Sequence, residues 1–195
     1  KMGIPSVLIS HGSHVPHHEE HEKREHEILA KNILYGNYRD YAVQTPLARQ
    51  MVLTLQKNAE NIVNVKPLLW GKKIESREKD NRRFTIVHAG TPKFRHQRRL
   101  IYETSDEYVM ALSEICNSVK KYSELQLIIK TRPFDYELTE KSLLELLSPL
   151  PDNVIVETQL PFHEVLAEAD LLVSFSSTTI EEALVNDIPV LLYGG

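Results

Sequence analysis

DLLVSFSSTTIEEALVNDIPVLLYGG, residues 170–195, decides how this chain reads. The run Asp170–Phe175 is short, apolar and rich in β-former residues, as a buried strand is. It passes straight into Ser176-Ser177-Thr178-Thr179, a turn of small hydroxyl residues, and then into a helical pattern from about Thr178 to Val185. A second apolar strand follows over 188–193. Strand, turn, helix, strand is the unit of a parallel sheet. In an open sheet of that kind, ligands sit beyond the carboxyl ends of the strands, where the Ser/Thr turn falls. Backbone N–H groups and hydroxyls gathered there suit a phosphate. Thr178 and Glu181 stand at capping-box spacing, so Glu181 is expected to fold back onto the helix start. That leaves Glu182 to accept hydrogen bonds from ribose hydroxyls. Ser/Thr caps are common, and the residues alone leave an ordinary capped helix equally open.

Outward from this unit the same grammar continues. Apolar strands are expected at 84–89, 125–130 and 153–157. Helices are expected over about 105–121, with Thr104 and Glu107 at capping-box spacing, near 139–148 and just after Pro161. Earlier, strands are expected at 6–10, 41–44 and 62–69, with helices over Glu19–Leu34 and over Pro46–Lys57, the latter with Pro at its first position. Between the two parts, residues 70–83 carry nine charges in fourteen positions and read as an exposed linker. The division is therefore 1–69, the end of one α/β domain; 70–83, a linker; and 84–195, a second, doubly wound α/β domain. The fold class is α/β, doubly wound parallel sheets in two parts, and both ends read as cut.

A net charge of −4 argues against electrostatic binding of nucleic acid. The single cysteine, Cys116, forms no internal disulfide, so a reducing compartment is the default. No apolar run approaches the roughly 20 residues that span a membrane, and no secretory signal is visible.

Two loops face the same expected ligand edge. After the strand ending at Ala89, Gly90 permits a tight exit turn, and Lys93, Arg95, Arg98 and Arg99 follow within ten residues. Such cations suit an anionic donor, or else a solvated basic loop. The strand 125–130 ends in Lys130-Thr131-Arg132-Pro133. In the first part, the strand 6–10 leads to His11-Gly12-Ser13. Further on, His14, His17, His18, His21 and His26 lie among glutamates. His17 and His21 are four apart, but no HExxH pattern accompanies them, so no metal site is expected. That tract reads as an exposed helix.

The stretch 170–195 resembles the donor-site segment of GT-B glycosyltransferases, nucleotide-sugar 2-epimerases and polyol-phosphate polymerases. The resemblance implies that Ser177 and Thr178 hold the donor phosphates and Glu182 the ribose, with Ser176, Thr179 and Glu181 beside them in the donor site. Lys130-Thr131-Arg132-Pro133 is similar to the Lys-x-His-Pro segment of the polymerases, with Arg132 in place of the histidine. Gly90, Arg95, Lys130 and Arg132 join the donor side. His11-Gly12 resembles the His-Gly that follows a late strand of the acceptor domain, which implies that His11 is a catalytic base or orients the acceptor. The His/Glu helix would then flank the acceptor mouth. Leu68-Leu69-Trp70-Gly71 resembles the crossover between the two domains. The epimerases carry glycines in the turn where this chain has Ser and Thr, which favours a transferase. The implied activity is metal-independent transfer of a sugar or sugar-like unit from a nucleotide-activated donor to a glycan or lipid-linked glycan acceptor, as in cell-surface polysaccharide biosynthesis. The alternatives are a nucleotide-sugar 2-epimerase and a non-catalytic nucleotide- or glycan-binding module. No cofactor besides the donor is expected. The implied location is cytoplasmic, at the inner face of the membrane if the acceptor is lipid-linked.

Overall fold

The computed structural model describes residues 6–10, 19–34, 38, 40–55, 61–68, 73–75, 83–90, 104–131, 140–175 and 177–193. The chain divides into two compact units, Lys1–Lys72 and Lys73–Gly195.

In the first unit, β1 (Val7–Ile9), β2 (Asp40–Val43) and β3 (Asn61–Asn64) form a parallel sheet in the order β1-β2-β3. Helices α1 (Glu20–Leu34) and α2 (Pro46–Leu55) make the connections. Proline opens α2 because its missing N–H is no loss there. Thr45 caps that helix, its Oγ1 accepting from Ala48 N at 3.1 Å. Tyr41, Val43, Ala48, Val52 and Ala30 form the core. Helix α1 is therefore not simply exposed, contrary to the expectation from its charge. Ala30 is in the core, and His26, one turn earlier on the same face, is buried as well. Buried Gln44 fastens the carboxyl edge of this sheet. Its N donates to Ser10 Oγ at 3.1 Å, its Nε2 to Ser10 O, and its Oε1 accepts from Leu68 N at 2.5 Å.

The second unit holds β4 (Phe84–Ala89), β5 (Leu125–Lys130), β6 (Val154–Glu157), β7 (Leu171–Ser174) and β8 (Val190–Leu192), all parallel, in the order β6-β5-β4-β7-β8. Helices α3 (Ser105–Val119) and α4 (Glu140–Leu147) cover one face, with Tyr108, Leu112, Cys116 and Val119 packing on Leu127, Ile129, Leu143, Leu147 and Val154. The 4-4-3 spacing of those α3 residues is one helix face. Helices α5 (Phe162–Leu166) and α6 (Thr179–Val185) cover the other face, where Val165, Leu166 and Ala183 pack on Val87, Ala89 and Leu172. Each fully buried Leu contributes about 2 kcal/mol by removal from water.

Polar residues close the joints. Thr104 and Glu107 make the expected capping box, with Thr104 N donating to Glu107 Oε2 at 2.8 Å. Those hydrogen bonds hold the Glu107 carboxyl below its usual range. Buried Asn153 directs its Nδ2 at the carbonyls of Val119, Tyr122 and Leu125, at 3.0, 3.0 and 3.1 Å. It thereby ties together the last residue of α3, whose carbonyl has no helical partner, the turn that follows, and the first residue of β5. Helix α6 ends in a Schellman motif: Asp187 N donates to Leu184 O at 3.2 Å and Ile188 N to Ala183 O at 3.0 Å. Asp187 has φ +60°, a position usually taken by glycine. Ile74 N donates to Asn186 Oδ1 at 2.7 Å and Lys73 pairs with Asp187 at 2.8 Å, which seats residues 73–74 on this helix end.

Candidate functional site

The strand order of the second unit sets the site. From β4 the chain steps outward to β5 and β6, then returns across β4 to β7 and continues to β8. The direction of winding reverses between β4 and β7. At such a reversal the connecting segments leave in opposite directions and a crevice opens at the carboxyl ends. The residues there are Ala89 and Gly90 from β4, Ser174 and Phe175 from β7, and the turn from Ser177 into α6.

The crevice floor is pinned. Paired backbone between β4 and β7 ends at His88 and Val173, and just beyond, fully buried Ser174 donates through Oγ to Ala89 O at 2.7 Å. The turn then folds on itself: Ser177 Oγ accepts from Thr179 N at 3.3 Å, and Ile180 N donates to Ser177 O at 3.1 Å. The Thr179 hydroxyl is buried and has no hydrogen-bond partner among the described residues. A buried hydroxyl without a partner is costly, and a ligand oxygen would remove that cost.

The capping box expected between Thr178 and Glu181 does not form. Thr178 has φ −64° and ψ −10°, a helical backbone, and its side chain makes no cap hydrogen bond. A capping side chain needs an extended backbone to reach the N–H groups ahead of it. The preceding Ser177 meets the first of them instead. Glu181 and Glu182 both lie in the first turn of α6. Glu182 is half-buried, burial pushes its carboxyl above the usual range, and the charge of His163 on α5 opposes that shift.

Lys130 ends β5 in register with Ala89 on one side and Glu157 on the other. It is buried, and its Nζ donates to Thr131 O at 2.7 Å and lies 3.5 Å from Glu157 O. Burial lowers its basicity and Glu157 partly restores it. Its ammonium thus braces the carboxyl edge of the sheet. The Glu157 carboxylate in turn accepts from Gln159 N and Leu160 N at 2.6 and 2.8 Å, which shapes the approach to α5. The buried Thr131 hydroxyl also has no hydrogen-bond partner among the described residues. His11, Ser176, Arg95 and Arg132 lie outside the described residues, as do Lys93, Arg98, Arg99, His14, His17 and His18. Among the described residues, no group of three or more His, Cys, Asp or Glu is placed to hold a metal. None of the described helices is long and apolar enough to cross a membrane.

Sequence reasoning missed three participants. His88 and Ser174 sit inside runs that otherwise read as apolar strands, and Tyr193 follows β8. His88 is fully buried, its Nε2 lies 2.8 Å from the Tyr193 hydroxyl, and burial holds its pKa down at about 4. The available signal was a polar residue in a strand buried on both faces, which has to find a partner.

The first unit has its own groove at the carboxyl edge of its sheet, about 520 Å³, bordered by Gln44, Thr45, Arg49, Gln50 and Asn64 among others.

No protein-family model matches the chain, and no curated protein matches it by sequence. Solved structures do match. The S. aureus MnaA structure with UDP superposes with a TM-score of 0.61 at 14% identity, covering 97% of this chain and 50% of that one. The calicheamicin glycosyltransferase CalG4 gives 0.53 at 16% identity, covering 96% and 49%. TarM gives 0.52 at 18% identity, covering 95% and 36%. The chain thus spans half the length, or less, of the structures it matches. Parallel sheets flanked by helices in two units, together with these neighbours, give this chain a Rossmann-like α/β fold of the GT-B type.

Proposed function

We propose that the second unit binds a nucleotide-activated sugar, as part of a metal-independent glycosyltransferase-like enzyme acting on a glycan or lipid-linked glycan, in the manner of cell-surface polysaccharide synthesis. The observation that carries this reading is the reversal of strand order between β4 and β7, which puts the Ser/Thr turn at the ligand edge. The UDP in the MnaA structure supports it by analogy of fold.

Ser176, Ser177, Thr178 and Thr179 receive the diphosphate through backbone N–H groups and hydroxyls, with the unpartnered Thr179 hydroxyl taking a phosphate oxygen. Glu182 accepts from ribose hydroxyls, and its partial burial strengthens those hydrogen bonds. Glu181 stands beside it. Gly90 lets the chain leave β4 tightly, and Arg95 and Arg132 supply charge for the leaving diphosphate. Lys130 holds the strand edge. His11 acts on the acceptor as base or orienting group, and the groove of the first unit offers amides and a guanidinium for a polyhydroxyl acceptor.

Incubating the chain with a panel of nucleotide sugars, with and without glycan acceptors, tests this. A transferase consumes donor only when acceptor is present. Consumption without acceptor means a 2-epimerase, and binding without consumption means a non-catalytic module.

A further inference from the structure

His88 occupies a position that packing alone would fill with Val or Ile. It lies in the central strand, is 0% exposed, and its ring stands against Tyr108 at 5.7 Å and Tyr193 at 5.6 Å. Among the described residues its Nδ1 has no hydrogen-bond partner, so the imidazole brings a polar burden into the core. The Nε2 contact with the Tyr193 hydroxyl at 2.8 Å is what it gains.

That contact is one link of a closed ring around the crevice. Tyr193 N donates to Ser174 O at 3.3 Å, and the Tyr193 ring meets Phe175 at 5.9 Å. Ser174 Oγ returns to Ala89 O, the residue after His88. The ring joins β4, the end of β7 and the segment after β8. Phe175 is the last described residue before the turn, and the turn starts from wherever Phe175 is held. We propose that His88 is a positioning residue for the nucleotide site, acting through Tyr193 to hold the Ser174–Phe175 exit from which the phosphate-binding turn begins. This rests on reading that turn as the nucleotide site.

Burial keeps the imidazole neutral in neutral solution; among the described residues, the rings of Tyr108 from α3 and Tyr193 after β8 stand against it. A neutral imidazole has one donor and one acceptor nitrogen, so either tautomer makes one hydrogen bond with a hydroxyl. Tyr193→Phe removes only the hydroxyl and leaves the ring on Phe175.

The test is calorimetric titration of the full chain with uridine, guanosine, cytidine and thymidine diphosphates, with melting temperature measured in parallel. The variants are Tyr193→Phe, His88→Leu and His88→Gln. In Tyr193→Phe and His88→Leu, the loss of one hydrogen bond that orders the turn should weaken the best diphosphate about fivefold. His88→Gln, which keeps a hydrogen-bonding group, should recover part of that affinity beyond what melting temperature explains. Undiminished affinity in Tyr193→Phe overturns the proposal, whether or not His88→Leu folds. Equal affinity in His88→Gln and His88→Leu also overturns it. If the unaltered chain takes up none of these diphosphates, the reading of the turn fails first and the proposal falls with it.

Discussion

Replacing His88 by Gln should flatten the acid side of the stability profile. In the folded chain the imidazole is fully buried, and burial pulls its pKa down from an ordinary 6.5 to about 4. Protonation therefore favours the unfolded chain. The contribution is whole above pH 6.5 and is lost as pH falls from 6.5 toward 4. The difference of about 2.5, at about 1.36 kcal/mol for each, amounts to about 3 kcal/mol, of which about 2 is gone by pH 5. Other groups act elsewhere or oppose. Glu107 and Glu157 are lowered carboxyls and act below the ordinary carboxylate range, while Glu182 is raised and offsets part of the loss. The difference between variant and parent isolates the histidine. Urea unfolding followed by far-ultraviolet circular dichroism at pH 5 and pH 7 measures it. The parent should lose about 2 kcal/mol more than His88→Gln between those two values. Equal losses would show that His88 is solvated or charged in the folded state, and the burial argument would be wrong.

Other substitutions probe single joints. Ser174→Ala removes the donor to Ala89 O across the switch point and should cost about 1–3 kcal/mol in denaturant unfolding; no change would mean that water replaces the hydroxyl. Asn153→Ala strips the carbonyls of Val119, Tyr122 and Leu125, between α3 and β5, of their shared donor and should cost about 2–3 kcal/mol, read the same way. Asp187→Gly relieves a left-handed residue but gives up an exposed ion pair with Lys73, so the melting temperature should rise by the equivalent of about 0.5 kcal/mol; a fall would contradict the strain argument.

The strands of the second unit were legible because parallel strands covered on both faces are apolar throughout. Phe84–Ala89 and Leu125–Lys130 begin and end where their runs do. Where a run outlasts the pairing, as with Asp170 and Phe175, the neighbouring strand is what ends the element. The cap at α6 was not legible. Four adjacent hydroxyl residues offer similar spacing, and it is the helical backbone of Thr178 that leaves the role to Ser177. The charged face of α1 hid His26 and Ala30, since two buried residues leave little trace among glutamates. His88 and Ser174 were missed for a different reason: Tyr193 and Ala89, their partners, lie 105 and 85 residues away along the chain. Contacts of that kind come from topology and not from local pattern.

The central claim is that the turn at the β4/β7 reversal holds a nucleotide, with Glu182 on its ribose. Titration of the chain and of Glu182→Ala with uridine diphosphate, the nucleotide of the MnaA structure, tests it most directly. Losing hydrogen bonds from two hydroxyls to a carboxylate should cost about 1.5–3 kcal/mol, or about tenfold to a hundredfold in Kd, at an unchanged fold by circular dichroism. Glu181→Gln should bind more nearly as the parent does. Equal affinity for the parent and Glu182→Ala, or a larger loss in Glu181→Gln, would contradict the assignment of the ribose to Glu182.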